Sequence, residues 1–201
     1  MKQELLIKAK KILSFREKSK ANDSKELQEK RLKFLSWLFS QDQRLRVLEL
    51  YQDGGEVIKS KQQIPQYIHE FKFCNTRTKI NQETILEVDK LPFDKMMFLI
   101  CETIASLIRK EIHFAVFYAE GQKSPHIRIY DIAKLNDMNP RKRIKAQILF
   151  WRGHVPFGLF HFVDTGIFVD EHPLQLEFSP HWKYNTPFNL LFEYPFLEVE
   201  K

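Results

Sequence analysis

Two carboxylates two residues apart, Glu87 and Asp89, are the first feature of the sequence that could do chemistry. They end the run of residues 84–89, whose alternation and β-branched residues predict a strand. Because residues two apart on a strand share a face, both carboxylates point the same way. Such a pair repels itself unless a cation neutralises it, and carboxylate oxygens suit Mg²⁺ or Mn²⁺. The pair predicts a divalent-metal site, the alternative being an acid pair in solvent.

A second polar group, Lys123, Ser124 and His126, lies at the mouth of a predicted hairpin. Ser124 and His126 are again two residues apart, so the hydroxyl and the imidazole share a face. With the neighbouring ammonium they could hold phosphate oxygens. The alternative is an ordinary strand entry that binds nothing.

The third element is Asp164, a carboxylate that closes an apolar run where a charge is unexpected. Further along, His181 and Lys183 add an imidazole and an ammonium on short spacing. Three carboxylates with two such clusters are what two-metal nucleotidyl transfer requires. The metals would activate the attacking 3′-hydroxyl, hold the triphosphate and stabilise the leaving pyrophosphate.

This order of motifs resembles that of archaeo-eukaryotic primases and primase-polymerases. Those proteins show an acid-x-acid pair, then a Ser-x-His and then an Asp on a later strand. Here the corresponding residues are Glu87 with Asp89, Ser124 with His126, and Asp164. The resemblance covers residues 84–183, about half the chain.

The resemblance implies a metal-dependent nucleotidyltransferase that adds nucleotides to a DNA or RNA strand under template direction, with Mg²⁺ or Mn²⁺ as cofactor. The implied metal ligands and catalytic residues are Glu87, Asp89 and Asp164. The implied nucleotide-binding residues are Lys123, Ser124, His126, His181 and Lys183. Two departures stand out: Glu87 occupies a position where Asp is commoner, and the family's zinc-binding module is missing.

The elements that position these motifs predict an α+β fold. The predicted strand 84–89 is followed by a helix over 93–110 and by strands 113–118 and 126–130, which a short turn joins into a hairpin. This order is that of a split βαβ, RRM-like sheet. We also expect the following elements: a basic helix from Asn139 to about Trp151, short strands over 158–163 and 167–169, and an edge strand or covering tail within 187–200.

Residues 1–60 are predicted to form a basic, helical N-terminal lobe, and residues 61–201 the primase-polymerase-like core. Ser24 is expected to cap an amphipathic helix that carries leucines at helical spacing. A further helical segment is expected over 45–51, ending before Gly54 and Gly55. The lobe could pack against the core or guide a nucleic-acid strand.

The composition suits one compact domain with a polyanionic partner. The chain has 201 residues, of which 43% are apolar, and it carries a net charge of +6. Phe alone occurs 18 times. Its two cysteines show no CxxC spacing, which excludes a zinc ribbon. No apolar run is long enough to span a membrane, and no secretory signal is evident, so we expect a cytoplasmic protein, nucleoid-associated if it is replicative. The residues expected to contact nucleic acid are Arg141, Lys142, Arg143 and Lys145.

Three functions remain open at this point. The first is a primase-polymerase whose partners are nucleoside triphosphates, single-stranded or primed DNA or RNA, and a possible primase or replication subunit. The second is a non-catalytic, primase-like accessory subunit or nucleic-acid-binding replication factor. The third is a metal-dependent nuclease that uses Glu87 and Asp89, although the sequence shows no lysine at the spacing typical of that class.

Overall fold

The computed structural model describes residues 24–42, 45–48, 56–57, 76–122, 124–170, 172, 174–179 and 186–194. Its three α-helices are α1 (Lys25–Gln41), α2 (Phe93–Arg109) and α3 (Pro140–Arg152). Its strands are β1 (Arg46–Leu48), β2 (Glu56–Val57), β3 (Thr76–Arg77), β4 (Thr84–Leu86), β5 (Phe114–Tyr118), β6 (His126–Ile129), β7 (Leu174–Gln175) and β8 (Asn189–Tyr194). These elements confirm a mixed α+β fold. None of these helices is long and apolar enough to span a bilayer.

The strands form two antiparallel sheets of four strands each. The main sheet has the order β4-β6-β5-β8, and the small sheet has the order β2-β1-β3-β7. Helix α2 connects β4 to β5, and β6 lies between these two strands in the main sheet. The predicted hairpin of β5 and β6 is confirmed, with Phe117 opposite His126. The predicted C-terminal edge strand is also confirmed as β8, which pairs with β5.

The helices begin where the sequence provides N-caps. The Ser24 hydroxyl accepts a hydrogen bond from the backbone N–H of Leu27 at 3.2 Å, as predicted for the start of α1. At the start of α3, the Asn139 side chain accepts from the N–H of Lys142 at 3.0 Å, and Pro140 occupies the first helical position. Both caps satisfy backbone donors that have no partner within the helix.

The core lies between one face of the main sheet and helices α2 and α3. Aliphatic residues of the sheet and of α2 form this cluster, and Trp151 of α3 is fully buried within it. The Trp151 indole N–H donates to the hydroxyl of Thr84 at 2.8 Å, which ties α3 to β4. This bond satisfies a polar group that burial would otherwise leave without a partner.

The opposite face of the main sheet, named the polar face here, carries Glu87, His126 and Arg128. Helix α1 packs over one part of it, where Phe34 makes edge-to-face contacts with Phe117 and Tyr130 at centroid distances of 6.3 and 5.6 Å. Arg77 of β3 and Glu177, which lies two residues beyond β7, add charged side chains to the same side. The main sheet therefore has one apolar face against α2 and α3, and one mixed face.

A buried ionic network joins the two sheets on this side. Its four charged side chains, Arg77, Glu83, Arg128 and Glu177, are all fully buried. Arg77 pairs with Glu83 at 2.7 Å and with Glu177 at 2.6 Å, and Arg128 also pairs with Glu177. The hydroxyl of Tyr130 donates to Glu177 at 2.9 Å. Two positive and two negative charges thus balance each other away from solvent.

Two sequence expectations are wrong. The strands expected over 158–163 and 167–169 are short 3₁₀ helices, Phe160–Phe162 and Thr165–Phe168. The Asp164 carboxylate accepts from the N–H of Gly166, which stabilises a tight turn between them. The helix expected over 45–51 is contradicted by strand β1. A helix over residues 45–51 would be too short to be stable by itself. As a strand, β1 is paired with β2 on one side and with β3 on the other.

The pairing of β1 with β3 also joins a segment from the first 60 residues to one beyond them. The N-terminal lobe and the boundary at residue 60 stay predictions. The predicted helical residues before Ser24 lie outside the described residues.

Candidate functional site

The chain beyond β4 continues the main sheet through a single bridge between Val88 and Val163. The Asp164 N–H donates to the carbonyl of Glu87 at 3.0 Å, and the Asp89 N–H donates to the carbonyl of Phe162 at 2.9 Å. This register places Glu87 directly across from Asp164. Side chains directly opposite in such a pair lie on the same side.

The other neighbour of this segment is the start of β6. The β4–β6 register ends with Leu86 opposite Ile127, so one step further Glu87 meets His126. The two side chains are in contact, with His126 Nε2 at 3.4 Å from Glu87 Oε2. His126, Glu87 and Asp164 therefore form one row across the polar face. The backbone thus brings together three residues that are separated by up to 77 positions in the sequence (164 − 87).

The Glu87 carboxylate is held in its ionised form. Burial by itself would raise its pKa, but His126 outweighs this effect, and His172 and Arg128 add to the lowering. The resulting pKa of Glu87 is about 2, compared with an ordinary value of 4.5. The side chain remains 29% exposed, so solvent screens part of this interaction.

The imidazole of His126 has two competing partners. Its Nε2 lies 2.6 Å from Gln122 Nε2, and the Gln122 oxygen accepts from the N–H of Ala119. As a donor, Gln122 requires an unprotonated Nε2, which cannot then donate to Glu87. The other ring nitrogen, Nδ1, is buried and has no hydrogen-bond partner among the described residues. The proton position on His126 therefore decides whether it pairs with Glu87 or with Gln122.

We expect Glu87→Gln to lower stability in a pH-dependent way. A folded-state pKa below the unfolded one stabilises the protein above pH 4.5, and this contribution disappears as the pH falls towards 2. The variant should therefore be less stable than the wild type by about 1–3 kcal/mol at pH 5.5. Urea unfolding at several pH values measures the difference, which should shrink towards pH 2. A difference that is constant with pH would contradict the ion pair.

Ser124 lies beside the row but faces the protein. Its hydroxyl accepts from the backbone N–H of Val88 at 3.2 Å, and the residue is only 2% exposed. The bond holds the mouth of the hairpin against the segment that carries Glu87 and Asp89. Ser124 therefore positions the acidic segment, and its hydroxyl hydrogen remains able to donate to a further group.

The backbone segments that carry the three carboxylates are hydrogen-bonded to each other, but the carboxylate side chains do not gather around one point. Glu87 contacts His126, and Asp164 caps the turn at Gly166 with a hydrogen bond of 2.9 Å. In the described part of the chain, no three His, Cys, Asp or Glu side chains form a group that could hold a metal. The donor types suit Mg²⁺ or Mn²⁺, but the side chains as arranged do not form a metal site.

The predicted basic contacts separate into two kinds on α3. Arg141, Lys142 and Lys145 are exposed, so they are available to a polyanion. Arg143 is buried instead: it pairs with Asp170 and donates to the carbonyls of Leu135 and Met138. The predicted nucleotide-binding residues Lys123, His181 and Lys183 lie outside the described residues.

Sequence reasoning did not single out Gln122, Arg128 or Glu177. One signal for Arg128 was available, because it lies two residues after His126 on an alternating strand and therefore shares its face. Nothing local identified Glu177, whose partner Arg77 is 100 residues away in the sequence.

Comparisons of the chain with protein-family models, curated proteins and solved structures found no significant match.

Proposed function

We propose that this chain is a nucleotidyltransferase of the primase-polymerase type, which adds nucleotides to a DNA or RNA strand under template direction. The observation that carries the proposal is the row of His126, Glu87 and Asp164 on the polar face. Ser124 and Asp89 lie beside this row. The backbone segments that carry Glu87, His126 and Asp164 thus lie side by side, although they are far apart in the sequence.

The topology gives the proposal further support. The strand β4, the helix α2 and the hairpin of β5 and β6, whose second strand lies between β4 and β5, are elements that the proposed RRM-like split βαβ arrangement requires. In this arrangement the acidic segment follows β4 and Ser124 precedes β6, so both motifs meet at the same end of the sheet. The fourth strand, β8, pairs with β5 and lies at the other side of the hairpin.

The residues of the row would act mainly by positioning and charge. Glu87, Asp89 and Asp164 would bind a divalent cation, Mg²⁺ or Mn²⁺, which when bound would supply charge neutralisation for a triphosphate. Glu87 would leave His126 for this role, which would free the imidazole to donate to a phosphate oxygen. The proposed partners are nucleoside triphosphates, single-stranded or primed DNA or RNA, and a possible primase or replication subunit, with the cytoplasm as the proposed compartment.

Primer extension tests this proposal. With Mn²⁺ or Mg²⁺, a labelled primer–template and either ribo- or deoxyribonucleotides, we expect the wild type to add nucleotides. Asp89→Ala should reduce the rate at least about 100-fold, because it removes a carboxylate from the acidic segment.

The matched control is Asp137→Ala, which changes an exposed acid in a loop before α3 and should keep full activity. Undiminished extension by Asp89→Ala would reject the assignment of the site. Cleavage of the labelled strand without extension would instead favour the nuclease.

A non-catalytic, nucleic-acid-binding role is the second candidate. It is favoured by the side-chain contacts of Glu87 and Asp164, which engage protein groups and do not converge on one point. If no synthesis occurs, binding of single-stranded DNA should weaken steeply with salt. Replacing Arg141, Lys142 and Lys145 by Gln should then reduce the slope of log K against log salt by about 0.7 per lost phosphate contact.

A further inference from the structure

A cavity of about 510 Å³ lies between α1 and the polar face, and its lining does not include Glu87, His126 or Asp164. Cavities that hold small organic ligands have volumes of about 300–1,000 Å³. Its floor is formed by the β5–β8 pair, where Ala115 lies opposite Glu193 and Phe117 lies opposite Leu190. The small side chain of Ala115 leaves the space that a larger residue would fill.

Aromatic rings form the walls of this cavity. On one side Phe34 and Trp37 of α1 meet Tyr130, with Trp37 and Tyr130 edge-to-face at 5.4 Å. At the other end Phe114 and Tyr194 stack at 5.9 Å. Trp37 is 41% exposed, so the aromatic wall is open to solvent. Faces of such rings carry negative electrostatic potential and attract cations.

Two carboxylic acids, Glu193 and Asp131, line the cavity. Burial raises the pKa of the Glu193 carboxyl, with no basic group among the described residues to offset the effect. Asp131 lies at the rim, where its carboxylate is 3.6 Å from His113 and both side chains are more than half exposed. None of the described residues that line the cavity is a lysine or an arginine. The negative charge disfavours phosphate-bearing ligands here, so a nucleotide does not suit this cavity.

We propose that this cavity binds a small organic cation, an ammonium group carried on an aromatic or aliphatic body. The apolar body would lie against the aromatic rings and Ala115, and the ammonium would pair with Glu193 and, at the rim, Asp131. The ligand would supply the positive charge that Glu193 lacks among its described neighbours. This site is separate from the proposed nucleotidyltransferase site and does not depend on it.

Three probes of similar shape test the proposal: phenethylammonium, uncharged 2-phenylethanol and anionic phenylacetate. Ligand-observed NMR titrations on the full chain give the dissociation constants. We expect phenethylammonium to bind about tenfold more tightly than 2-phenylethanol, and phenylacetate to bind most weakly. Equal affinities for the three probes, or no binding of the cation at millimolar concentration, would overturn the proposal.

Two variants locate the binding in the cavity. Glu193→Gln should weaken phenethylammonium about five- to tenfold and leave 2-phenylethanol within about twofold. Ala115→Leu should fill the space and abolish binding of both, with circular dichroism to verify the fold. Asp137→Asn, a change of an exposed acid elsewhere, should have no effect. If Ala115→Leu does not fold, Glu193→Gln alone decides, and unchanged affinity for the cation in that variant rejects the site.

Discussion

Replacing Glu177 by Gln should lower the free energy of unfolding by about 3–5 kcal/mol. The substitution keeps the shape of the side chain but removes the charge that Arg77 and Arg128 share. Both guanidinium groups are fully buried, and Glu83, the acid of the network that would remain, pairs with Arg77. Breaking a buried ion pair on one side is costly because the other charge stays desolvated. Urea unfolding at neutral pH measures the loss.

The control for this variant is Glu26→Gln, which removes an exposed ion pair with Lys30 on α1 and should leave stability unchanged within error. The effect should also depend on pH. Burial alone would raise the pKa of Glu177, but Arg128 and Arg77 outweigh burial and hold it well below its ordinary value of 4.5. Its contribution is therefore present above pH 4.5 and is lost as the pH falls below that value. A loss below about 1 kcal/mol would show that the network adds little to stability.

Asp164→Asn should separate catalysis from folding. The Asn oxygen can still accept from the N–H of Gly166, so we expect a change in the free energy of unfolding of less than about 0.5 kcal/mol. The substitution removes the negative charge across from Glu87, and with it one of the three carboxylates proposed to bind the divalent cation. Primer extension should therefore fall at least about 100-fold, which corresponds to about 3 kcal/mol of transition-state stabilisation.

Asp164→Ala is the matched comparison. It removes both the charge and the acceptor, so activity should fall as it does in Asp164→Asn, and stability should also decrease by about 1 kcal/mol. Full activity in Asp164→Asn would mean that Asp164 serves the turn alone. In that case either Glu87 and Asp89 alone would bind the cation, or the protein would bind nucleic acid without catalysis.

Local features of the fold could be read from the sequence because their physical causes lie within a few residues. Ser24 and Asn139 bond to N–H groups three positions on, and these caps begin α1 and α3 as expected. The alternation of residues 126–130 indicates which side chains share a face of the strand. It correctly indicated β6 and its hairpin with β5.

The sequence was misleading where the same apolar residues suit more than one backbone. Residues 158–169 are rich in aromatic and β-branched side chains, which favour strands, yet they form two 3₁₀ turns. Asp164 and Gly166 decide this locally, since the carboxylate bonds to the N–H two residues on. Burial of Ile167 and Phe168 is achieved without a strand.

Glu87 and Asp89 by themselves establish two carboxylates on one side of an extended segment, because alternation along a strand is a local property. Only the tertiary structure decided what lies beside them. Strand neighbours place His126 on one side of Glu87 and Asp164 on the other, and the small sheet brings Glu177 to Arg128. Such contacts depend on which distant strands become neighbours, and no period along the chain encodes that choice.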